Sequence, residues 1–399
     1  MRAKGDSSHQ RRPASHDKLP SRRIVESAAP SALTDVTHPP GSGLRARNVT
    51  QLAVRIEPAR HSRCCNSSRV AGELMTNLVR PPSPSRGLAL ALSLLAGLFG
   101  CREAIHASSP ATPAPQYQPL TTFPPLGPAR TVDRGVVVHP VSLQHGEHAG
   151  RIWIYLPTKM PPAPIPCVFI TAAGVPPYVG NGFGPDLERQ RNPEHLPYVH
   201  AGFAVVAYDT DGELAHPNDL TYQEVGAAAA AFKDADAGVL NARHAIDYVL
   251  KMVPAIDAKR LYAAGHSSAG RIALLLAETD RRIAACAAYA PVTDVERRVR
   301  ENSRGAGRYL ESNLPGFDDF LKRTSPLRQV ARLRCPLFLY HSRGDQRIPI
   351  ADSEAFAAAL ATTNSQVTFI RGTHGGHYDS MIADALPRAI EWLKGRSKS

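Results

Sequence analysis

Three short segments hold the residue types of an acyl-transfer site. The first is RLYAAGHSSAG at 260–270. An apolar run ends at Ala264, and a helix-prone stretch rich in Ala and Leu begins just after Ser267. A sharp turn from strand to helix holds its central serine in strained dihedrals, with the hydroxyl exposed above the sheet. Such a turn packs tightly, and the flanks of Ser267 are correspondingly small: Gly265 two residues before, Ala269 two after. The helix N-terminus beneath it offers free N–H groups and a positive dipole end to a developing oxyanion. A serine hydroxyl is a poor nucleophile without a base, and the base needs an orienting carboxylate. CPLFLYHSRGDQRIP (335–349) supplies a strand and then a loop with Asp345, and VTFIRGTHGGHYDSM (367–381) supplies another strand and a loop with His374 and His377. Both loops leave the C-terminal ends of strands, where parallel sheets place their sites.

The two histidines compete for the role of base. His377 is the expected one: a residue six or seven past the strand end can fold back over the turn, and Gly375 and Gly376 supply the permissive dihedrals. His374, still leaving the sheet at the fourth position, is the alternative. Asp294 is a second candidate acid, more simply a solvated turn residue. The run Tyr208 to Gly212 reads as an acidic turn, and His266 as a packing residue. Cys167, Cys286 and Cys335 lie beside apolar strands and read as core. No spacing of His, Cys and carboxylates suggests a metal site, and no Gly-rich phosphate loop is present.

The elements that must position these residues alternate between strand and helix, the pattern of an α/β sheet. Strands are expected at Gly135–Val138, Arg151–Tyr155, Cys167–Thr171, Ala204–Tyr208, Leu261–Ala264, Ala284–Tyr289, Leu337–Tyr340 and Val367–Ile370. The later ones are continuous apolar runs, as strands buried on both faces should be. Val239, Ala242, Ile246, Val249, Leu250 and Val253 recur at helical spacing, and Ala269–Ala277, Ala351–Ala361 and Ile382–Leu393 also read as helices. One domain over 131–399 follows, with eight strands, the first two antiparallel and the rest parallel, and helices on both faces. Residues 295–325 form an insertion between the sixth and seventh of these strands, placed to act as a lid.

IDAKRLYAAGHSSAG, SPLRQVARLRCPLFLYHSRGDQRIPIADSEAFAAAL and the His loop together resemble the α/β-hydrolase fold. They are most similar to prolyl-oligopeptidase-type catalytic domains (peptidase family S9) and to dienelactone-hydrolase-like proteins, over about 150–397. The resemblance implies Ser267 as nucleophile, Asp345 as acid, and an oxyanion hole from the N–H of Ser268 and one from the loop after the third strand. That loop reads ITAAGVPP, so Ala173 or Ala172 would be its donor. The implied activity is that of a serine hydrolase cleaving an ester or amide of a small molecule or peptide through an acyl-enzyme, with no cofactor. A carboxylesterase is expected first, then a peptidase, then an acyltransferase using the same three residues.

Composition sets the remaining bounds. The chain has 399 residues, 43% of them hydrophobic and 21% charged, with 35 prolines and a net charge of +12. Residues 1–101 hold 15 Lys and Arg against 6 Asp and Glu, whereas the rest of the chain holds 32 against 29. A nearly neutral main domain lacks the electrostatic footprint of a nucleic-acid binder. Residues 1–74 are rich in Arg, Ser, Pro and His without periodicity, a composition expected either of an upstream overcall of the start site or of a disordered basic extension. At 75–101 a basic segment precedes the apolar run GLALALSLLAGLFG (87–100) and Cys101, the layout of a secretory signal peptide. Leu98-Phe99-Gly100-Cys101 resembles a bacterial lipobox, so Cys101 is an expected lipidation site, and export to the bacterial cell envelope, as a membrane-anchored lipoprotein or in the periplasm, is the expected localisation. Residues 102–130 read as a Pro-rich, semi-extended linker.

Overall fold

The computed structural model describes residues 113–145, 148–183, 193–214, 220–302 and 305–396. The extension over 1–74, the signal-like segment 75–101 with Cys101, and the first part of the linker lie outside the described residues. Among the described residues, nine strands form one sheet in the order β1-β2-β3-β5-β4-β6-β7-β8-β9. They are β1 Arg130–Asp133, β2 Val136–His145, β3 His148–Pro157, β4 Ile165–Thr171, β5 Ala204–Tyr208, β6 Ile256–His266, β7 Ile283–Tyr289, β8 Leu337–Ser342 and β9 Val367–Gly372. The pairs from β1 through β3 to β5 are antiparallel and all later ones parallel. This is the α/β-hydrolase fold.

The expected count of eight strands is thus corrected to nine, and the antiparallel part of the sheet is longer than the expected first two strands. β1 was not readable because it is a four-residue edge strand, RTVD, exposed or half-buried throughout, without apolar alternation. β2 continues seven residues past the expected end at Val138. Its Pro140 is tolerated because β1 pairs only as far as Val138, so the proline stands where β2 has no partner on that side.

The helices are α1 Leu196–His200, α2 Tyr222–Asp234, α3 Val239–Met252, α4 Ser267–Thr279, α5 Val295–Asn302, α6 Ala306–Asn313, α7 Phe317–Arg323, α8 Pro326–Gln329, α9 Ile350–Ala361 and α10 Leu386–Arg396, the last entered through a π-turn at Met381–Ala385. Alternate residues of the central strands feed two cores. Cys167 and Phe169 of β4 pack with α2, α3, α4 and the insertion helices, while Val168 and Ile170 pack with α1 and α10. The insertion is itself well packed: Leu310, Phe317, Phe320 and Leu321 are all buried, and Tyr309 stacks on Tyr222 of α2 with ring centroids 5.2 Å apart.

The Pro-rich segment before β1 is docked on the domain over much of its described length. Polar side chains of α3 read its extended backbone: Tyr248 donates to the Pro124 carbonyl at 2.9 Å, and a ring nitrogen of His244 bonds the Gln118 carbonyl at 2.9 Å. Tyr117 donates to Asp247, and Leu120 is buried against the first core. Its anchors are backbone carbonyls, the Tyr117 hydroxyl and the scattered apolar residues Leu120, Phe123 and Leu126, which leave no periodic apolar signal. Leu120→Ala is therefore expected to cost about 2 kcal/mol of stability, the low end for a buried leucine. Urea unfolding with an unchanged m-value checks this; a change below about 0.5 kcal/mol, within the range of ordinary surface substitutions, would show that the strap adds nothing.

Candidate active site

β6 runs directly into α4: His266, the last residue of the strand, is still extended, and the helix begins immediately after it. The next residue, Ser267, is the first of α4 and has φ 56°, a left-handed conformation uncommon for a residue with a side chain. The crowding explains why the neighbours are small. A Cβ at Gly265 would collide with the Ala269 carbonyl, and one at Gly270 would press on Pro291. Ser267 remains half-exposed while the following turn of α4 is buried.

Asp345 lies on the loop after β8 with its side chain 1% exposed. One carboxylate oxygen accepts from the N–H groups of Arg347 and Ile348 at 2.8 and 3.0 Å. The other accepts from His377 Nδ1 at 2.6 Å and lies 3.2 Å from His341 Nε2. Burial alone would push this carboxyl up, but the His341 and His377 hydrogen bonds, followed by the two backbone ones, hold it well below the usual carboxylate range. With Nδ1 donating to Asp345, His377 leaves Nε2 as its basic nitrogen.

The loop carrying His377 is fixed from beneath. Gly375 turns at φ 77°, Ser342 donates to the Gly375 carbonyl at 2.7 Å, and Ser380 donates to the Gly376 carbonyl at 2.6 Å. His266, adjacent to Ser267, donates from Nε2 to the His377 carbonyl at 3.0 Å, with the two rings 4.3 Å apart. Burial, and next the adjacent His377, push the His266 pKa down to about 3, so its ring is a neutral support. His377 thereby stands over the Ser267 turn. His374 does not join this group: it is exposed, and its Nδ1 bonds the Thr373 hydroxyl at 2.7 Å.

On the other side of Ser267, the loop after β4 is tied to the turn. Gly174 donates its N–H to the Ser268 hydroxyl at 3.0 Å, and Asn181 holds the Ala173 carbonyl at 2.8 Å. Ala172 and Ala173 are thus kept near the N-terminus of α4.

The sequence model of the prolyl oligopeptidase family matches residues 197–398, half of the chain. The chain belongs to this family. It is a serine hydrolase. Among solved structures, this member of the prolyl oligopeptidase family is similar to acetyl xylan esterase 1 from Thermoanaerobacterium sp. JW/SL YS485, at 15% identity and a TM-score of 0.50, over 67% of this chain and 86% of that one. It is also similar to an acetyl xylan esterase from Paenibacillus sp. R4, at 18% identity and a TM-score of 0.49, over 70% and 96%. A third is the acylaminoacyl peptidase of Pyrococcus horikoshii, at 15% and 0.48, over 66% of this chain but only 41% of the peptidase. At such identities the likeness is one of fold. No curated protein matches the chain by sequence.

Other residues singled out in the sequence serve elsewhere in this prolyl-oligopeptidase-family domain. Asp294 bonds the Arg297 N–H at 3.0 Å at the start of α5. Asp209 takes Arg151 at 2.6 Å and the Phe183 N–H at 2.9 Å, and Asp211 takes Asn241 at 2.9 Å, so this acidic turn ties β3, β5 and α3 together. The thiols of Cys167, Cys286 and Cys335 are free, and burial pushes all three up. Among the described residues, no group of three His, Cys, Asp or Glu is placed to hold a metal ion.

Three residues of the site went unread in the sequence. His341 is one. Arg271, wholly buried in α4, donates to the Thr324 carbonyl at 2.9 Å, to the Thr324 hydroxyl at 2.5 Å and to the Pro177 carbonyl, and burial pushes its guanidinium down to about 9. Its signal was an arginine inside the apolar run of SSAGRIALLLAE. The third, Glu194, is bonded to Tyr378 next to His377; burial pushes its carboxyl up to about 7 against the opposing effect of that bond.

Proposed function

We propose that the protein is a carboxylic-ester hydrolase that works through an acyl-enzyme on Ser267. The observation that carries the reading is the 2.6 Å bond from His377 Nδ1 to the buried Asp345, on a loop braced against the residue before Ser267. Ser267 Oγ attacks the ester carbonyl carbon and its proton passes to His377 Nε2. Asp345 stabilises the imidazolium and holds its tautomer. The negative charge on the carbonyl oxygen is met by the N–H of Ser268 and by that of Ala172 or Ala173, since the Gly174 N–H is engaged by Ser268. Collapse expels the alcohol, which takes the proton from His377; water, deprotonated by the same nitrogen, then releases the acid and restores Ser267.

The ester preference is supported by the acetyl xylan esterase likeness, which extends over 86% of that enzyme. The family's name favours a peptidase on the same residues as the second reading. A panel of p-nitrophenyl acyl esters against aminoacyl anilides separates them. Higher kcat/KM on the esters is expected; preference for the anilides would reverse the order. Product analysis with an alcohol acceptor present would reveal an acyltransferase by the appearance of a new ester.

A further inference from the structure

His341 stands at the end of β8, four residues before Asp345, with its side chain wholly buried. Its Nε2 lies 2.9 Å from the Ile348 carbonyl and 3.2 Å from Asp345 Oδ2, two atoms that can only accept. Nε2 therefore carries the hydrogen and shares it between them. Nδ1, 2.8 Å from the Ser353 hydroxyl of α9, is then an acceptor, and the ring's tautomer and orientation are both fixed. The oxygen it reaches is the one that receives the His377 Nδ1 hydrogen.

We infer that His341 is a positioning residue that sets the basicity of His377 by sharing Asp345 Oδ2 with it. The inference rests on the proposed roles of Ser267, Asp345 and His377, but not on whether the substrate is an ester or an amide. An oxygen that already accepts one N–H offers less negative charge to a second. Asp345 Oδ2 accordingly holds the His377 N–H less tightly than it would if it faced that ring alone. Among the described residues, a further titratable group near the carboxylate is His266 at the end of β6, a neutral ring; Arg343 and Arg347, on Asp345's own loop, are exposed.

The sign follows. Removing the His341 N–H strengthens the hold of Asp345 on protonated His377, raises the pKa of the base and moves the acid limb of the rate profile to higher pH. The test is the pH dependence of Ser267 phosphonylation by a fluorophosphonate, which needs no knowledge of the natural substrate, alongside kcat and KM on an activated ester. His341→Phe, which keeps a ring but no donor, is expected to move the acid limb up by about half a pH unit or more, with kcat falling while KM holds. His341→Gln, whose amide N–H reaches as far as Nε2, should restore the limb. Ser353→Ala, which loosens the ring without removing it, should give a smaller shift in the same direction and serves if His341→Phe does not fold. The downfield proton of the His377–Asp345 bond should move in step in the NMR spectrum. A fall in rate with an unmoved limb, a limb displaced downward, or failure of glutamine to restore it would each overturn the inference. Absence of labelling in the native protein would instead count against Ser267 as nucleophile.

Discussion

Replacing Ser267 with alanine is expected to lower turnover of an activated ester by roughly three orders of magnitude or more, with the melting temperature close to native. The two halves of this expectation have separate causes. The hydroxyl is the proposed nucleophile, and the adjacent Ser268 cannot stand in for it, because its hydroxyl is buried and holds the Gly174 N–H. Alanine keeps the Cβ, so the backbone at φ 56° is neither relieved nor further strained. Kinetics on the purified variant, together with fluorophosphonate labelling, check both parts. Undiminished labelling would assign the nucleophile to another serine.

The second large effect separates the two histidines. His377→Ala is expected to abolish acylation about as fully as Ser267→Ala, and the double variant should be no worse than either single one, because the residues act in one step. His374→Ala should leave the acylation rate within a few-fold of native, since its exposed ring bonds the adjacent Thr373, whereas it is His377 that meets His266 and Asp345. Single-turnover acylation of the three variants decides it. A dead His374→Ala with an active His377→Ala would exchange their roles.

What could be read in the sequence is what leaves a local trace. The Ser267 turn announces itself because tight packing forces Gly265 and small neighbours, and the central strands because burial on both faces leaves continuous apolar runs in them. Asp345 and His377 are legible from their position after strands. His341 is not: a buried histidine in an apolar strand looks like packing until the loop after β8 brings Asp345 back against it. Arg271 is likewise silent, because its acceptors are a carbonyl from the β4 loop and two atoms of Thr324, far off in the chain. β1 pairs through backbone groups, which any sequence supplies, and the docked strap mixes carbonyl anchors with Tyr117 and Leu120 at no regular spacing.

Arg271 also limits how the entrance to the serine can open. One guanidinium stitches three separate stretches of chain: the helix that begins at Ser267, the loop through Pro177, and the end of the insertion at Thr324. Swinging the insertion outward as a hinged flap would strand a buried cation without its acceptors, at about 1–3 kcal/mol for each neutral donor left unpaired and more for a charged one. Opening that moves Thr324 therefore carries the Pro177 loop along. Admission of a bulky substrate and alignment of the Ala172–Gly174 amides then become a single motion, and a ligand too small to move the insertion would meet the amides in their resting place.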